Sequence, residues 1–138
     1  MDATSKDEML ASLAGRVSAV KPSLERDKVL AVLKERESLG STGIGGGVAI
    51  PHGKLLDLDK LLIVIARSIG GVNFDSADNL PVHLLFLVLA PDSAAPVYLK
   101  MLARISRLVK MEEVYNRLME AADEAAIEKV IREVDVTL

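Results

Sequence analysis

The chain has 138 residues, half of them hydrophobic, and a formal net charge of −3. This is the size of one domain with a real core, so we expect a single domain over residues 1–138. Its acidic balance and its two Phe and two Tyr, with no Trp, argue against nucleic-acid binding, which needs basic surfaces and stacking platforms.

Two helices are predicted at the start of the chain. Ser5 followed by Glu8 is a capping-box pattern, and apolar residues then recur at helical spacing, which predicts a helix over residues 6–19. Pro22 ends that segment. A second helix is expected from Ser23 to residue 38 or 39, where Gly40 offers a left-handed stop.

The pattern changes completely between Gly40 and Gly53. This segment holds six of the nine glycines and no charged side chain. Glycine permits tight turns and close backbone approach, so the segment is predicted to be a shaped loop with one short strand over Val48–Ile50.

Two apolar runs, Leu61–Ala66 and Val82–Ala90, are predicted to be strands. Both are nearly continuous in apolar residues, which is typical of strands covered on both faces, so helices must flank the sheet. The polar, turn-rich segment Gly70–Pro81 is interpreted as an irregular connection with room for one edge strand. The longest apolar run, Leu84–Ala90, is much shorter than the roughly 20 residues of a membrane helix.

Helical spacing returns after Pro91. It predicts one helix that begins near Asp92 or Ser93, a second around Val114 and Leu118, and a last one capped by Asp123. The apolar positions of the first and last of these helices are Tyr98, Leu102, Ile105, Val109, Ile127, Val130, Ile131 and Val134.

His52 is the strongest candidate for chemistry. Pro51 fixes the backbone before it and Gly53 frees the backbone after it, a setting that a packed core histidine does not need. Neutral imidazole is a good phosphoryl acceptor near neutral pH. The glycine backbone, with the hydroxyls of Ser41 and Thr42, is interpreted as an anion cradle. The structural alternative is a tight turn with an idle histidine; the P-loop and dinucleotide motifs are absent.

The segment from Glu35 to Gly53 resembles the active-site signature of the fructose/mannitol-type IIA family of the bacterial sugar phosphotransferase system, including its nitrogen-regulatory branch. It reads ERESLGSTGIGGGVAIPHG. The resemblance implies one domain with an α/β (α+β) fold, a three-layer α/β/α sandwich with a small mixed sheet. It also implies that His52 is phosphorylated on Nε2 and that Arg36 is the basic side chain beside it. Gly43, Gly45 and Gly53, with Ser41 and Thr42, are the predicted phosphate-binding residues.

The sequence departs from the family pattern at one assisting position, where the family has a second histidine and this chain has Tyr98. Tyr98 donates a hydrogen bond but does not titrate near neutral pH. His83 is either a structural histidine or, if strand alternation turns it toward His52, a replacement partner. Four cations at helical spacing form either a docking stripe or an ordinary solvated face. They are Lys100, Arg104, Arg107 and Lys110.

The resemblance implies a protein-histidine phosphotransferase component that needs no cofactor. A phosphohistidine on HPr or a paralogue would phosphorylate His52, and a IIB component would take the group on for sugar uptake. The alternatives are a nitrogen-regulatory module whose phosphorylation state controls protein partners, and a degenerate member kept for binding. We expect a soluble cytoplasmic protein, since residues 1–10 are polar and acidic and cysteine is absent.

No metal is assigned, because the four turn aspartates lack a ligand spacing; they are Asp57, Asp59, Asp75 and Asp78. From the resemblance we expect the chain to lack the family's first strand; such a loss would leave one sheet edge open and favour self-association.

Overall fold

The structure is a computed structural model, and it describes residues 5–55, 58, 60–76, 78–91, 95–127 and 129. Helices come first, strands follow and helices return, as predicted. The helices are α1 (Lys6–Val20), α2 (Arg26–Ser38), α3 (Ala95–Val109) and α4 (Glu112–Glu120), and residues 124–127 begin a further helical segment. The strands are β1 (Gly43–Gly45), β2 (Val48–Ala49), β3 (His52–Leu55), β4 (Leu62–Val72) and β5 (Val82–Pro91).

Strand β5 is the centre of the sheet. On one side it pairs antiparallel with β4, and Val64 lies opposite Leu87. On the other side its first half pairs with β2 and its second half with β3, both parallel. Strand β1 pairs antiparallel with β2 and completes a five-stranded mixed sheet. The small mixed sheet that the resemblance implied is therefore confirmed.

The side chains of β5 alternate between two hydrophobic cores, which gives the domain its three layers. Leu85, Leu87 and Leu89 pack against α1 and α2. Leu84, Phe86 and Val88 pack against α3 and α4. Since every residue from Leu84 to Ala90 is at most 3% exposed, the prediction that this strand is covered on both faces is correct.

The N-terminal helices match the prediction apart from one start. The hydroxyl of Ser5 accepts a hydrogen bond from the Glu8 amide at 3.2 Å, so the predicted cap of α1 is present. Helix α2 begins at Arg26 and not at Ser23, because the Leu24 amide donates to the Lys21 carbonyl in a turn. This turn places the Leu24 side chain in the core, 3% exposed.

Strand β4 is longer and more open than predicted. It runs six residues past Ala66 to Val72, and its last three residues lie in the segment that was predicted to be an irregular connection. The pairing with β5 shifts between Arg67 and Val72, which lets the two glycines of this segment stay within the strand. Ile63 is 38% exposed and Ile69 is 83% exposed, so β4 is not covered on both faces.

The C-terminal helices bury most of the predicted residues that the structure describes, while Leu102 and Ile127 are partly buried. Tyr98, Ile105 and Val109 of α3 are at most 6% exposed, and Val114 and Leu118 of α4 are likewise buried. The predicted start at Asp92 or Ser93 lies outside the described residues, as do Val130, Ile131 and Val134. Asp123 caps the helical segment after it, as predicted, because its carboxylate accepts from the Ala126 amide at 2.9 Å. Of the helices described, none has the length and apolarity to cross a membrane.

Candidate functional site

The strand that runs beside β5 is interrupted at Pro51, and this interruption determines the position of His52. Strands β2 and β3 lie end to end beside β5, and Pro51 between them has no N–H to donate to a ladder. The carbonyl of Pro51 still accepts from the Val88 amide at 2.9 Å. His52 therefore lies opposite Val88 as the first residue of β3, half-buried. The sequence predicted a loop at this position, and the structure gives His52 a firmer support.

Both ring nitrogens of His52 have a partner. Nδ1 lies 2.8 Å from the carbonyl oxygen of Ile50, and Nε2 lies 3.0 Å from Nε of Arg36. A carbonyl only accepts and a guanidinium only donates, so Nδ1 carries the proton and Nε2 presents its lone pair. The arrangement selects the neutral tautomer with Nε2 as the nucleophilic atom.

The surroundings of His52 lower its pKa below the usual value. Burial of the ring is the largest cause, and the positive charge of Arg36 acts in the same direction. The hydrogen bond to the Ile50 carbonyl and the negative charge of Glu37 raise the pKa and offset part of this effect. The lowered pKa favours the neutral ring, in which Nε2 carries no proton.

Arg36 reaches the site from the last turn of α2. Its Nε donates to His52, and its Nη1 donates to the carbonyl of Gly40 at 2.8 Å. The structure thus brings together the two residues that the resemblance assigned to chemistry. The guanidinium is held at the C-terminal end of the helix, where a positive charge is favourable.

Ser41 and Thr42 lie near the site, but their hydroxyls are already engaged. Ser41 donates to the Phe74 carbonyl and accepts from the Gly43 amide at 3.0 Å. The Thr42 hydroxyl donates to the carboxylate of Glu37, and the Thr42 side chain is buried. In this structure the two hydroxyls hold the loop together and do not point at His52.

The predicted phosphate-binding glycines are not gathered around His52. Gly45 pairs with Val48, which lies four residues along the sheet from His52, a distance of about 13 Å. Gly43 would place a Cβ atom 2.1 Å from the Ser76 hydroxyl, so it is needed for close packing. Gly53 adjoins His52, and its Cβ would lie 2.3 Å from a methyl carbon of Val32, so it lets β3 approach α2.

Tyr98 lies beside His52, as the resemblance implied for the assisting position. The two ring centroids are 5.8 Å apart with an interplanar angle of 58°. Burial raises the pKa of Tyr98 to about 12, so its phenol is neutral at physiological pH. The ammonium group of Lys54 lies 5.9 Å from the centroid of the Tyr98 ring. The ring of Tyr98 therefore lines one side of the site, and its phenol does not titrate near neutral pH.

His83 is not part of the site. It lies five positions before Val88, the partner of His52, which amounts to about 16 Å along β5. Its Nδ1 lies 2.9 Å from the carbonyl oxygen of Ser68. The structural interpretation of His83 is the one that fits, and it cannot replace the missing second histidine.

Four basic residues at helical spacing follow one another along α3 and the turn after it. Lys100, Arg107 and Lys110 are exposed, and Arg104 is half-buried. Lys110 also lines a groove of about 480 Å³ between the β1–β2 hairpin and α4. Among the described residues, no group of three or more His, Asp or Glu side chains converges as metal ligands would. Asp57 and Asp59 lie outside the described residues.

Sequence reasoning missed Glu37. Its carboxylate accepts from the backbone amide and the hydroxyl of Thr42. The sequence holds one weak signal for this role. An acidic residue in the last turn of a helix opposes the helix dipole, so another interaction must favour it there.

The three-layer fold and the neutral histidine beside an arginine define a class of protein, the IIA domains. The sequence model of the phosphoenolpyruvate-dependent sugar phosphotransferase system, EIIA 2 family, matches residues 1–134. The chain belongs to this family, as the signature around His52 predicted.

Relatives of this chain carry two kinds of name. A nitrogen regulatory protein of Bradyrhizobium diazoefficiens is 42% identical over 127 residues, which cover 92% of this chain and 82% of that protein. A PTS system fructose-specific EIIA component of Haloferax volcanii is 38% identical, covering 91% of this chain and 77% of its own. Nitrogen regulatory protein IIA-Ntr of Neisseria meningitidis superposes with a TM-score of 0.89 at 29% identity, covering 95% and 89%. Family membership implies a role in phosphoryl transfer between components of this system.

Proposed function

We propose that this chain is a phosphocarrier whose His52 accepts a phosphoryl group from a phosphohistidine on an HPr-like protein. The observation that carries the proposal is the geometry of the ring. The Ile50 carbonyl holds Nδ1–H, and the unprotonated Nε2 accepts a hydrogen bond from the Arg36 guanidinium. This arrangement suits an in-line attack on phosphorus.

The reaction exchanges one nitrogen–phosphorus bond for another. The Nε2 lone pair of His52 forms a bond to phosphorus, while the bond from phosphorus to the donor's histidine breaks and its electron pair returns to that nitrogen. The Ile50 carbonyl stabilises the positive charge that develops on the His52 ring, because it accepts from Nδ1–H. No metal or cofactor is needed for this exchange.

Arg36 has a different task before and after transfer. Before transfer its Nε donates to the lone pair that must attack, so the guanidinium has to leave that lone pair. A guanidinium forks onto phosphate oxygens, and the arriving group offers it new acceptors within reach. We infer that Arg36 moves from Nε2 to the phosphoryl oxygens as the bond forms.

The destination of the group separates two candidate functions. In the first, a IIB component receives the phosphoryl group from His52 and passes it to a sugar during uptake. The name of the Haloferax volcanii relative, a fructose-specific EIIA component, supports this candidate. In the second, the phosphorylation state of His52 controls regulatory partners, and the names of the Bradyrhizobium and Neisseria proteins support it.

The first experiment measures the intact mass of the chain after incubation with phosphoenolpyruvate, enzyme I and HPr. We expect one added phosphoryl group that is lost in acid, as a phosphohistidine is. The His52→Ala variant should gain none. The His83→Ala variant is the matched control, because it removes the second histidine at a site away from His52, and it should be phosphorylated like the wild type. Absence of uptake with HPr and with a nitrogen-branch paralogue would contradict the proposal.

The second experiment follows the group onward. The phosphorylated chain is mixed with fructose-type IIB domains, and loss of mass from the chain is compared with its loss in buffer. Transfer to a IIB domain within seconds supports the transport candidate. A phosphorylated chain that keeps its group in the presence of these domains supports the regulatory candidate.

A further inference from the structure

Glu37 joins three separate parts of the fold. Its side chain is 6% exposed, although it carries a charge. Oε1 accepts from the Thr42 amide at 3.0 Å and from the Thr42 hydroxyl, at the start of the glycine-rich segment. Oε2 lies 2.9 Å from the ammonium nitrogen of Lys6, the first residue of α1. Oε1 thus has two donors, whereas the buried Oε2 has the Lys6 ion pair and no hydrogen bond, so the ammonium of Lys6 compensates its charge.

A chain of hydrogen bonds leads from Glu37 to the ring of His52. The Thr42 amide donates to Glu37, and the Thr42 carbonyl accepts from the Ile50 amide at 2.9 Å. The Ile50 carbonyl then accepts from Nδ1 of His52 at 2.8 Å. Through these three links the carboxylate of Glu37 sets the position of the carbonyl that selects the tautomer of His52.

Lys6 balances the charge of Glu37. Its ammonium nitrogen also lies 3.5 Å from the Asp75 carboxylate and 5.3 Å from the centroid of the Phe74 ring. The Lys6 side chain is 19% exposed, so solvent screens this ion pair only in part. A carboxylate near His52 repels an incoming phosphoryl group, and a neighbouring ammonium reduces that repulsion.

We propose that Glu37 is a positioning residue for phosphoryl transfer at His52 and that Lys6 is the counter-ion that makes a carboxylate tolerable there. The proposal rests on the proposed function. Arg36 and Glu37 are consecutive in the last turn of α2, so one helix end holds both nitrogens of His52: Arg36 bonds to Nε2, and Glu37 acts on Nδ1 through Thr42 and Ile50.

Arg36 and Glu37 have opposite effects on the pKa of His52. Arg36 from α2 lowers the pKa of His52, and Glu37 raises it. Lys6 from α1 contacts Glu37, and Asp75 contacts Lys6. Replacing Glu37 with Gln keeps an acceptor for Thr42 and removes the negative charge. Replacing Lys6 with Met removes the positive charge and leaves the carboxylate uncompensated.

The test compares Glu37→Gln, Lys6→Met and the control Glu35→Gln by NMR titration of the His52 ring and by the rate of phosphorylation from HPr. Glu35 lies two residues before Glu37 on the same helix and is exposed, so the control removes the same charge from outside the network. We expect the pKa of His52 to fall in Glu37→Gln, to rise in Lys6→Met and to stay unchanged in the control. Phosphorylation should slow roughly tenfold in each of the first two variants.

The direction of the pKa change separates positioning from general stability. A loosened fold would hydrate the ring and move its lowered pKa upward in both variants, so an upward change in Glu37→Gln overturns the proposal. An unchanged pKa together with a wild-type rate in Glu37→Gln overturns it as well.

If the wild type itself accepts no phosphoryl group, the proposed function fails, and the titration still reports whether Glu37 positions the ring. If Glu37→Gln does not fold, Thr42→Val, which keeps the Thr42 amide and removes the hydroxyl, replaces it. Thr42→Val must then slow phosphorylation with the pKa of His52 unchanged, and a wild-type rate overturns the proposal.

Discussion

Each half of strand β5 pairs with a parallel strand, but only one of these two neighbouring strands carries a reactive side chain. In the first half, Leu84 and Leu85 lie beside β2, a strand that is buried and extends from a glycine hairpin. In the second half, Val88 to Pro91 lie beside β3, which begins with the half-buried His52. One parallel edge is thus interrupted at Pro51, and only the part after the break presents a nucleophile. The glycine-rich hairpin before Pro51 therefore works mainly as a scaffold that supports His52 from a distance.

The largest effect is expected from Arg36→Met, which acts on the second half alone. We expect phosphorylation of His52 to slow by about 100-fold, because a charged donor to the phosphoryl oxygens is lost. The pKa of His52 should rise, since the positive charge of Arg36 lowers it. Rapid-quench kinetics and NMR titration measure the two effects. Arg36→Lys keeps the positive charge but lacks the two-pronged donor geometry of a guanidinium. In this variant the pKa of His52 should return closer to the wild-type value than the phosphorylation rate does. Equal recovery of both would contradict this role.

A smaller effect on stability is expected from Gly53→Ala, which tests packing at the second half. The added Cβ would lie 2.3 Å from a methyl carbon of Val32, so β3 must shift away from α2. We expect a loss of about 1–3 kcal/mol in the free energy of unfolding. Denaturant titration measures it, and slower phosphorylation should accompany it because His52 moves too. The double variant Gly53→Ala with Val32→Ala relieves the clash, and failure of this rescue would show that packing is not the cause.

A loss of about 1 kcal/mol is expected from Gly46→Ala, which tests the first half. Gly46 has a φ of +65°, and nothing lies within 4 Å of the position of its Cβ, so the cost comes from the backbone conformation alone. Because this hairpin lies about 13 Å from His52, the phosphorylation rate should match the wild type. A rate loss beyond twofold would show that the first half takes part in chemistry.

The smallest effect concerns pH. The folded-state pKa of His52 lies below its unfolded value, so the unfolded chain binds more protons as the pH falls. The stability linked to His52 is therefore fully present above the unfolded value of roughly 6.5 and is lost as the pH falls through the folded value. Denaturation of the wild type and of His52→Ala at several pH values measures it. We expect the variant to lose less stability on acidification; equal losses would contradict a lowered pKa.

Several features of this protein followed from the sequence alone, each for a local reason. Three features depend on residue types at fixed spacing. They are the helix cap at Ser5, the strand Val82–Ala90 that is covered on both faces, and the family signature that contains His52. Local signals failed where the neighbours decide the structure. Strand β4 continues through Gly70 and Gly71 because β5 lies beside it, and α2 starts late because Leu24 is needed in the core.

The amino-acid sequence by itself determined the family, the candidate nucleophile and the order of helices and strands, since periodicity and a contiguous motif are written along the chain. Only the tertiary structure decided what surrounds His52. It brought Arg36 and Tyr98 to the ring, kept His83 away, and turned Ser41, Thr42 and the glycines toward packing. The physical reason is that burial, sheet register and the partner of each polar atom depend on segments far apart in sequence, so no local pattern encodes them.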